Sequence, residues 1–295
     1  MSKYPLTEQL RFIGTAGLGA ESVKQFAAHN PTQIYLGARS QSRAESTIAA
    51  VKKHYPDANI TFLPMDLGSL DSVKKAADIF TAASPRLDIL MNNAGIMATP
   101  PGTTKDGYEI QFGTNHMGHA LLTKLLLPTL QKTAAEPDSD VRIINLSSSG
   151  HGYAPKGGFV FKDINSDMAS YGTFTRYGQS KLANILFTVE LAKRYPEIKS
   201  IAVHPGAVKT ELLRGAKENK PWLRYPLDIF ASAVLTNVAS GALNQLWAST
   251  SKEAKSGKYY VPVAKENAAS AYARDGKLAE ELWNWTEEEF KKHGY

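Results

Sequence analysis

The sequence predicts an α/β fold of three layers, α/β/α, built on a doubly wound parallel sheet. Three observations predict it. Short apolar runs alternate with longer helical patterns along most of the chain. Each run is rich in Ile, Leu or Val, as strands buried on both faces are. A glycine cluster, Gly14-Thr-Ala-Gly17-Leu-Gly19, stands directly before the first helical pattern. Strand-helix alternation at this spacing makes right-handed βαβ units.

The expected strands cover residues 34–38, 60–64, 87–92, 141–147 and 200–204, with 257–261 as a candidate last strand. The expected helices cover 20–29, 43–55, 70–83, 109–131 and 174–195. Pro31 and Pro196 each follow a helix, where proline stops it. Trp283, Trp285 and Phe290 are expected to dock a terminal helix. Two irregular segments, 149–173 and 211–228, interrupt the rhythm. Both follow candidate strands, so both should project from the carboxyl edge of the sheet, where ligands bind in open α/β folds. No linker is visible, and residues 1–295 read as one domain.

Composition narrows the function. Hydrophobic residues make up 43% of the 295 residues, enough for a sizeable core. There is no cysteine, which excludes disulfides, thiolate catalysis and Cys-ligated zinc. The net charge is +6, but Lys and Arg are scattered without a long basic run, so nucleic acid is not an expected partner. The first ten residues lack the apolar stretch of a signal peptide, and no run reaches the ~20 apolar residues of a transmembrane helix. A soluble, cytoplasmic protein is expected.

Two ends of a site can be read from the residues. At one end, Gly17, Leu18 and Gly19 open a helix, whose free N–H groups and dipole suit a pyrophosphate. Arg39 follows the second strand about 20 residues later, where a dinucleotide fold places an acid for NAD or an arginine for the NADP phosphate. At the other end, Tyr177 and Lys181 are four apart on a helical pattern and share a face. A nearby ammonium favours the phenolate, so the tyrosine pKa should fall toward neutral. Ser147, Ser148 and Ser149 end a strand just upstream; no Gly-x-Ser-x-Gly elbow surrounds them, which argues against a hydrolase.

The ordered series Gly17-Leu-Gly19, Arg39, Asp66-Leu67, Asn92-Asn93-Ala94-Gly95, Asn115-His-Met-Gly-His119, Ser147-Ser148, Tyr177 to Lys181 and Pro205-Gly206 resembles the short-chain dehydrogenase/reductase superfamily. Within it, the chain is similar to the retinol-dehydrogenase-like and fungal carbonyl-reductase branch. The resemblance runs from about Leu10 to Val261 and implies a Rossmann-type fold. It implies NADP(H) as cofactor and the interconversion of an alcohol with a ketone or aldehyde. Ser148 would polarise the carbonyl, with Ser147 as the alternative, since neighbours on a strand face opposite ways. Tyr177 would move the proton, Lys181 would lower its pKa and hold the nicotinamide ribose, and Asn115 would support the lysine. Asp66 would meet adenine, and Asn93, Ala94 and Gly95 would line the cleft. Lys124, Val208 and Thr210 match further cofactor positions. His116 and His119 would be packing residues rather than metal ligands. The substrate would be a small apolar carbonyl or alcohol: a lipid, a steroid-like compound or a secondary metabolite. A homo-oligomer is one assembly the family allows.

The sequence departs from that pattern before the glycine loop. Either Phe12-Ile13 replaces the family's Thr-Gly, or Gly14 is the first glycine and the loop is one residue short. Arg11 also falls in a strand expected at the sheet centre, where an unpaired charge is costly. Three accounts stay open here: a loop variant, residues missing from the sequence, or weak NADP binding. The last favours the alternative function, a catalytically impaired relative that binds or regulates.

Overall fold

The computed structural model describes residues 17–208, 237–267 and 269–295, and the backbone of 10–14. Eight strands form one sheet: β1 (Leu10–Gly14), β2 (Gln33–Ala38), β3 (Ile60–Pro64), β4 (Ile89–Asn92), β5 (Arg142–Leu146), β6 (Lys199–Val203), β7 (Lys258–Val261) and β8 (Lys265–Glu266). Their order is β3-β2-β1-β4-β5-β6-β7-β8. All neighbours are parallel except β7 and β8. The chain runs outward from β1 to β3, then crosses to β4 and runs outward again. That reversal opens a crevice between β1 and β4 at the carboxyl edge.

The helices are α1 (Leu18–Ala27), α2 (Gln41–Lys52), α3 (Leu70–Ala83), α4 (Ile110–Phe112), α5 (Gly118–Ala134), α6 (Thr173–Arg194), α7 (Val238–Thr250) and α8 (Gly276–Lys292). Side-chain oxygens of Ser40, Ser69, Asn237 and Asp275 accept backbone N–H groups at the starts of α2, α3, α7 and α8. Each such cap contributes about 1 kcal/mol. One apolar cluster packs residues of α3, α5, α6 and α8 against one face of the sheet. A second packs α1, α2 and α7 against the other face. Layers on both faces explain why β4 and β5 are buried at every position, without alternation.

The 60–64 strand and the 70–83 helix match their sequence-based bounds, and most other elements shift by one to three residues at an end. Three differences are larger. The 109–131 helix is split, because a π turn at Gly113–Met117 separates α4 from α5. Segment 149–173 is not wholly irregular: Ser149–Tyr153 is a 3₁₀ turn. Helix α7 carries no strong pattern of its own and was not expected. Arg11 does fall within the central strand, in register with Ile34 and Ile89. Segment 211–228 and Thr210 lie outside the described residues. No described helix is long and apolar enough to cross a membrane.

Candidate active site

Helix α6 carries the chemical end of the site. Its inner face packs on the sheet, so both Tyr177 and Lys181 are buried. Lys181 Nζ lies 5.7 Å from the centre of the Tyr177 ring and donates to the Leu146 carbonyl at 3.1 Å. That carbonyl, at the end of β5, also accepts from Asn184 Nδ2 at 2.9 Å. Burial pushes the Lys181 ammonium down to about 8. Burial also raises the Tyr177 phenol to about 12, opposed by its hydrogen bond with Ser148. The expected fall of the tyrosine pKa is therefore corrected. Removing the phenolate from water outweighs the stabilisation it receives here, and the lysine is itself depressed by the same burial.

The two serines face opposite ways. Ser147 Oγ is buried against α6 and donates to the Lys181 carbonyl at 2.8 Å. Ser148 Oγ stays half-buried beside the phenol and accepts from the Gly150 N–H at 3.0 Å. The Ser149–Tyr153 turn lies flat on α6, and two glycines permit this. A Cβ on Gly150 would come within 2.8 Å of the Tyr177 ring, and one on Gly178 within 2.6 Å of the Tyr153 carbonyl carbon. His151 pins the turn further. Its Nδ1 lies 2.7 Å from the Ser148 carbonyl and its Nε2 accepts from the Ser270 N–H at 3.1 Å.

Asn115 sits in the π turn. Its Nδ2 donates to the Ile96 carbonyl and to Ser180 Oγ, both at 2.9 Å, and its Oδ1 accepts from the Ile96 N–H at 2.8 Å. Its own carbonyl accepts from Asn184 Nδ2 at 3.1 Å, with His119 Nδ1 at the same distance. Such widened turns recur at functional sites because they free backbone groups for other partners. Gly95 lies between the two ends: a Cβ there would stand 3.0 Å from Asn115 Oδ1 and 3.4 Å from Lys181 Nζ. Burial pushes His116 down to about 3 and His119 to about 4. No metal-holding cluster occurs among the described residues.

The cofactor end follows β1, β2, β3 and β4. Gly17 precedes α1 with φ 55°, a conformation glycine adopts freely. Leu18 and Val208 converge on Gly241 of α7, where a Cβ would clash with both. Arg39 is exposed directly after β2. Asp66 follows β3, and its Oδ1 accepts from the Gly68 N–H at 3.0 Å. Asn93 follows β4, and its Oδ1 accepts from Gln245 Nε2 at 3.3 Å. Gln245 was missed by sequence reasoning. Its Nε2 also reaches Ser22 Oγ at 2.6 Å and the Leu18 carbonyl at 3.3 Å, tying α7 to the start of α1. No motif marks it, since its partners are distant in sequence.

Lys124 does not join these residues, which corrects the sequence-based assignment. It projects from α5 toward the terminal helix and donates to Glu287 at 2.5 Å, in a cavity shared with Phe187, Arg194 and Trp283. Glu287 offers the ammonium a charged partner on that side.

Residues 13–162 match the family model of the short chain dehydrogenases. The chain is 40% identical over 300 residues to the short-chain dehydrogenase/reductase drtF of Aspergillus calidoustus, covering 95% of this chain and 92% of that one. It is 35% identical over 272 residues to retinol dehydrogenase 12 of Mus musculus, covering 91% and 81%. Among solved structures, a protein from Mycobacterium paratuberculosis superposes with a TM-score of 0.75 at 27% identity, covering 98% and 96%. Fold, site and relatives agree: the chain belongs to the short-chain dehydrogenase/reductase family, oxidoreductases whose fold binds a nicotinamide cofactor.

Proposed function

We propose that the protein is an NADP(H)-dependent oxidoreductase that interconverts an alcohol and a ketone or aldehyde, working as a reductase near neutral pH. The observation that carries this reading is the packing of Ser148, Tyr177, Lys181 and Asn115 around the carboxyl ends of β4 and β5. The cleft also fits the cofactor. Gly17 opens α1 toward it, Gly95 leaves room beside Lys181, and the buried Gln245 Oε1 has no partner and awaits a donor. Arg39, with no acid beside it in Gly37-Ala38-Arg39-Ser40, supports NADP(H) over NAD(H).

The bound nicotinamide supplies or accepts the hydride. Ser148 Oγ and the Tyr177 hydroxyl flank the place for the substrate oxygen. Ser148 orients that oxygen, and Tyr177 gives it a proton as charge develops. A phenol held at about 12 stays protonated at neutral pH, ready to donate to a carbonyl oxygen. Lys181, at about 8, exchanges protons in the working range and resupplies the phenol. Asn115 and Asn184 hold the lysine's surroundings in place. No specific geometry favours a binding protein without turnover. Segment 149–173, which begins beside Ser148 and ends at the start of α6, is assigned to the pocket for a small apolar substrate.

NADPH oxidation against a panel of ketones and aldehydes tests the reading. Tyr177→Phe should lower turnover by at least 10³-fold, on the order of the loss of a positioned acid, while NADPH still binds. Turnover that survives in this variant would overturn the mechanism.

A further inference from the structure

Exposed large hydrophobic side chains are scattered singly over the described surface, with one exception. Tyr153 and Phe174 are 64% and 52% exposed, and their rings touch, with centroids 6.3 Å apart and planes tilted by 55°. Isolated exposed hydrophobics need no explanation, whereas a contacting aromatic pair beside a reaction site does.

Their placement relative to the reactive groups is fixed by backbone. Tyr153 ends the turn that begins one residue after Ser148, and that turn rests on α6 at Gly178. Phe174 stands three residues before Tyr177 in the first turns of α6, so the two share a face. Tyr177 is buried and Phe174 is exposed one turn outward on that face. The start of α6 is also held from below. Thr173 Oγ1 donates to the Thr99 carbonyl at 3.0 Å, and the buried Arg176–Glu109 ion pair joins α6 to the chain after β4 at 2.8 Å. Neither aromatic residue is needed to fill the core, since both are more than half exposed.

We propose that Tyr153 and Phe174 form an aromatic platform at the mouth of the site, selecting substrates whose carbonyl is carried by a planar aromatic ring system. The inference rests on the oxidoreductase reading for the position of the carbonyl. It adds the substrate class: a flat, conjugated ketone or aldehyde rather than a flexible aliphatic one of the same size. Two rings in a fixed, tilted arrangement offer both a face and an edge to a third π system. Such ring contacts are worth about 3- to 10-fold in affinity beyond the area they bury. An alkyl chain gains the area alone.

The test pairs 2-acetonaphthone with 2-dodecanone, ketones with the same number of carbons. The wild-type protein should show the higher kcat/KM on 2-acetonaphthone. In the Tyr153→Leu/Phe174→Leu double variant, which keeps apolar surface, the ratio of the two kcat/KM values should fall about 10-fold. Both positions are exposed, so the melting temperature should stay close to that of the wild type. Binding of 2-acetonaphthone, followed by saturation-transfer NMR in the presence of NADP, gives a readout independent of turnover. If neither ketone is turned over but naphthyl binding weakens in the variant, the platform stands and the assigned reaction falls. Naphthyl binding that is unchanged in the variant overturns the platform, as does an unchanged ratio when both ketones react; in the latter case the reaction stands.

Discussion

Lys181 Nζ donates to the Leu146 carbonyl at 3.1 Å, yet Asn184 Nδ2 already serves that same carbonyl at 2.9 Å. The lysine is therefore dispensable to its hydrogen-bond partner but remains a buried charge. A pKa lowered from 10.5 to about 8 means that the folded state resists protonation and the unfolded state accepts it. The corresponding cost at neutral pH is about 3 kcal/mol. Lys181→Met should abolish turnover and yet stabilise the fold at pH 7, by about 1–3 kcal/mol. The wild type becomes more stable as pH rises from 8 to 10.5, because the unfolded state holds the proton longer. The advantage of the variant should shrink across that window. Urea unfolding at several pH values checks this, and a variant less stable than wild type at pH 7 would contradict it.

Acid should unfold the protein through its histidines. Burial pushes His116 to about 3 and His119 and His204 to about 4. Each is neutral in the fold and charged in the unfolded chain below about 6.5. As pH falls from 6.5 to 4, the unfolded state binds three protons that the folded state refuses. Stability should drop by up to about 4 kcal/mol per pH unit in that window. Circular dichroism during acid titration measures it; a fold unaffected down to pH 4 would refute it.

Gln245 should matter to the cofactor more than its position on α7 suggests. Gln245→Leu removes the donor shared by Ser22 and Asn93 and should cost about 1–3 kcal/mol of stability. NADPH affinity, measured by fluorescence titration, should weaken about 10-fold. An unchanged affinity would make Gln245 a residue of the fold alone.

Arg39→Ala should weaken NADPH about 10- to 100-fold, the worth of a charge-assisted contact to one phosphate, and leave NADH nearly unaffected. Equal losses for both dinucleotides would remove Arg39 from the selector role.

Gly150→Ala tests how tightly the serine turn is set against α6. A methyl group 2.8 Å from the Tyr177 ring cannot be accommodated without moving the turn or the phenol. Turnover should fall at least 10²-fold, with a stability loss of about 1–3 kcal/mol. Full activity would show that the turn yields at no cost.

The parts of this protein that were legible in its sequence are those set by local periodicity. Helical spacing places Tyr177 and Lys181 on one face, and apolar runs mark most of the sheet. The parts that were not legible depend on partners far along the chain. Alternation says that Ser147 and Ser148 face opposite ways, but only the packed α6, through the Lys181 carbonyl, decides which one turns inward. Lys124 reads as a cofactor contact until Glu287, 163 residues later, comes beside it. Gln245 reaches Ser22 across 223 residues. The raised pKa of Tyr177 depends on how much water the fold removes, a quantity that spacing does not carry. Charge proximity alone pointed the other way.

The π turn at Gly113–Met117 has a consequence for length. It spends one more residue on its turn than an α-helix does, and the helix resumes with everything downstream rotated to match. Each residue of an α-helix advances the side-chain direction by about 100°. Deleting Thr114 would let the helix run through unbroken and swing Asn115 away from Ile96 and Ser180. The eight strands and the flanking helices would keep their places. That single-residue deletion would leave every group of the Ser148, Tyr177, Lys181 and Asn115 set present and still silence the site while preserving its fold.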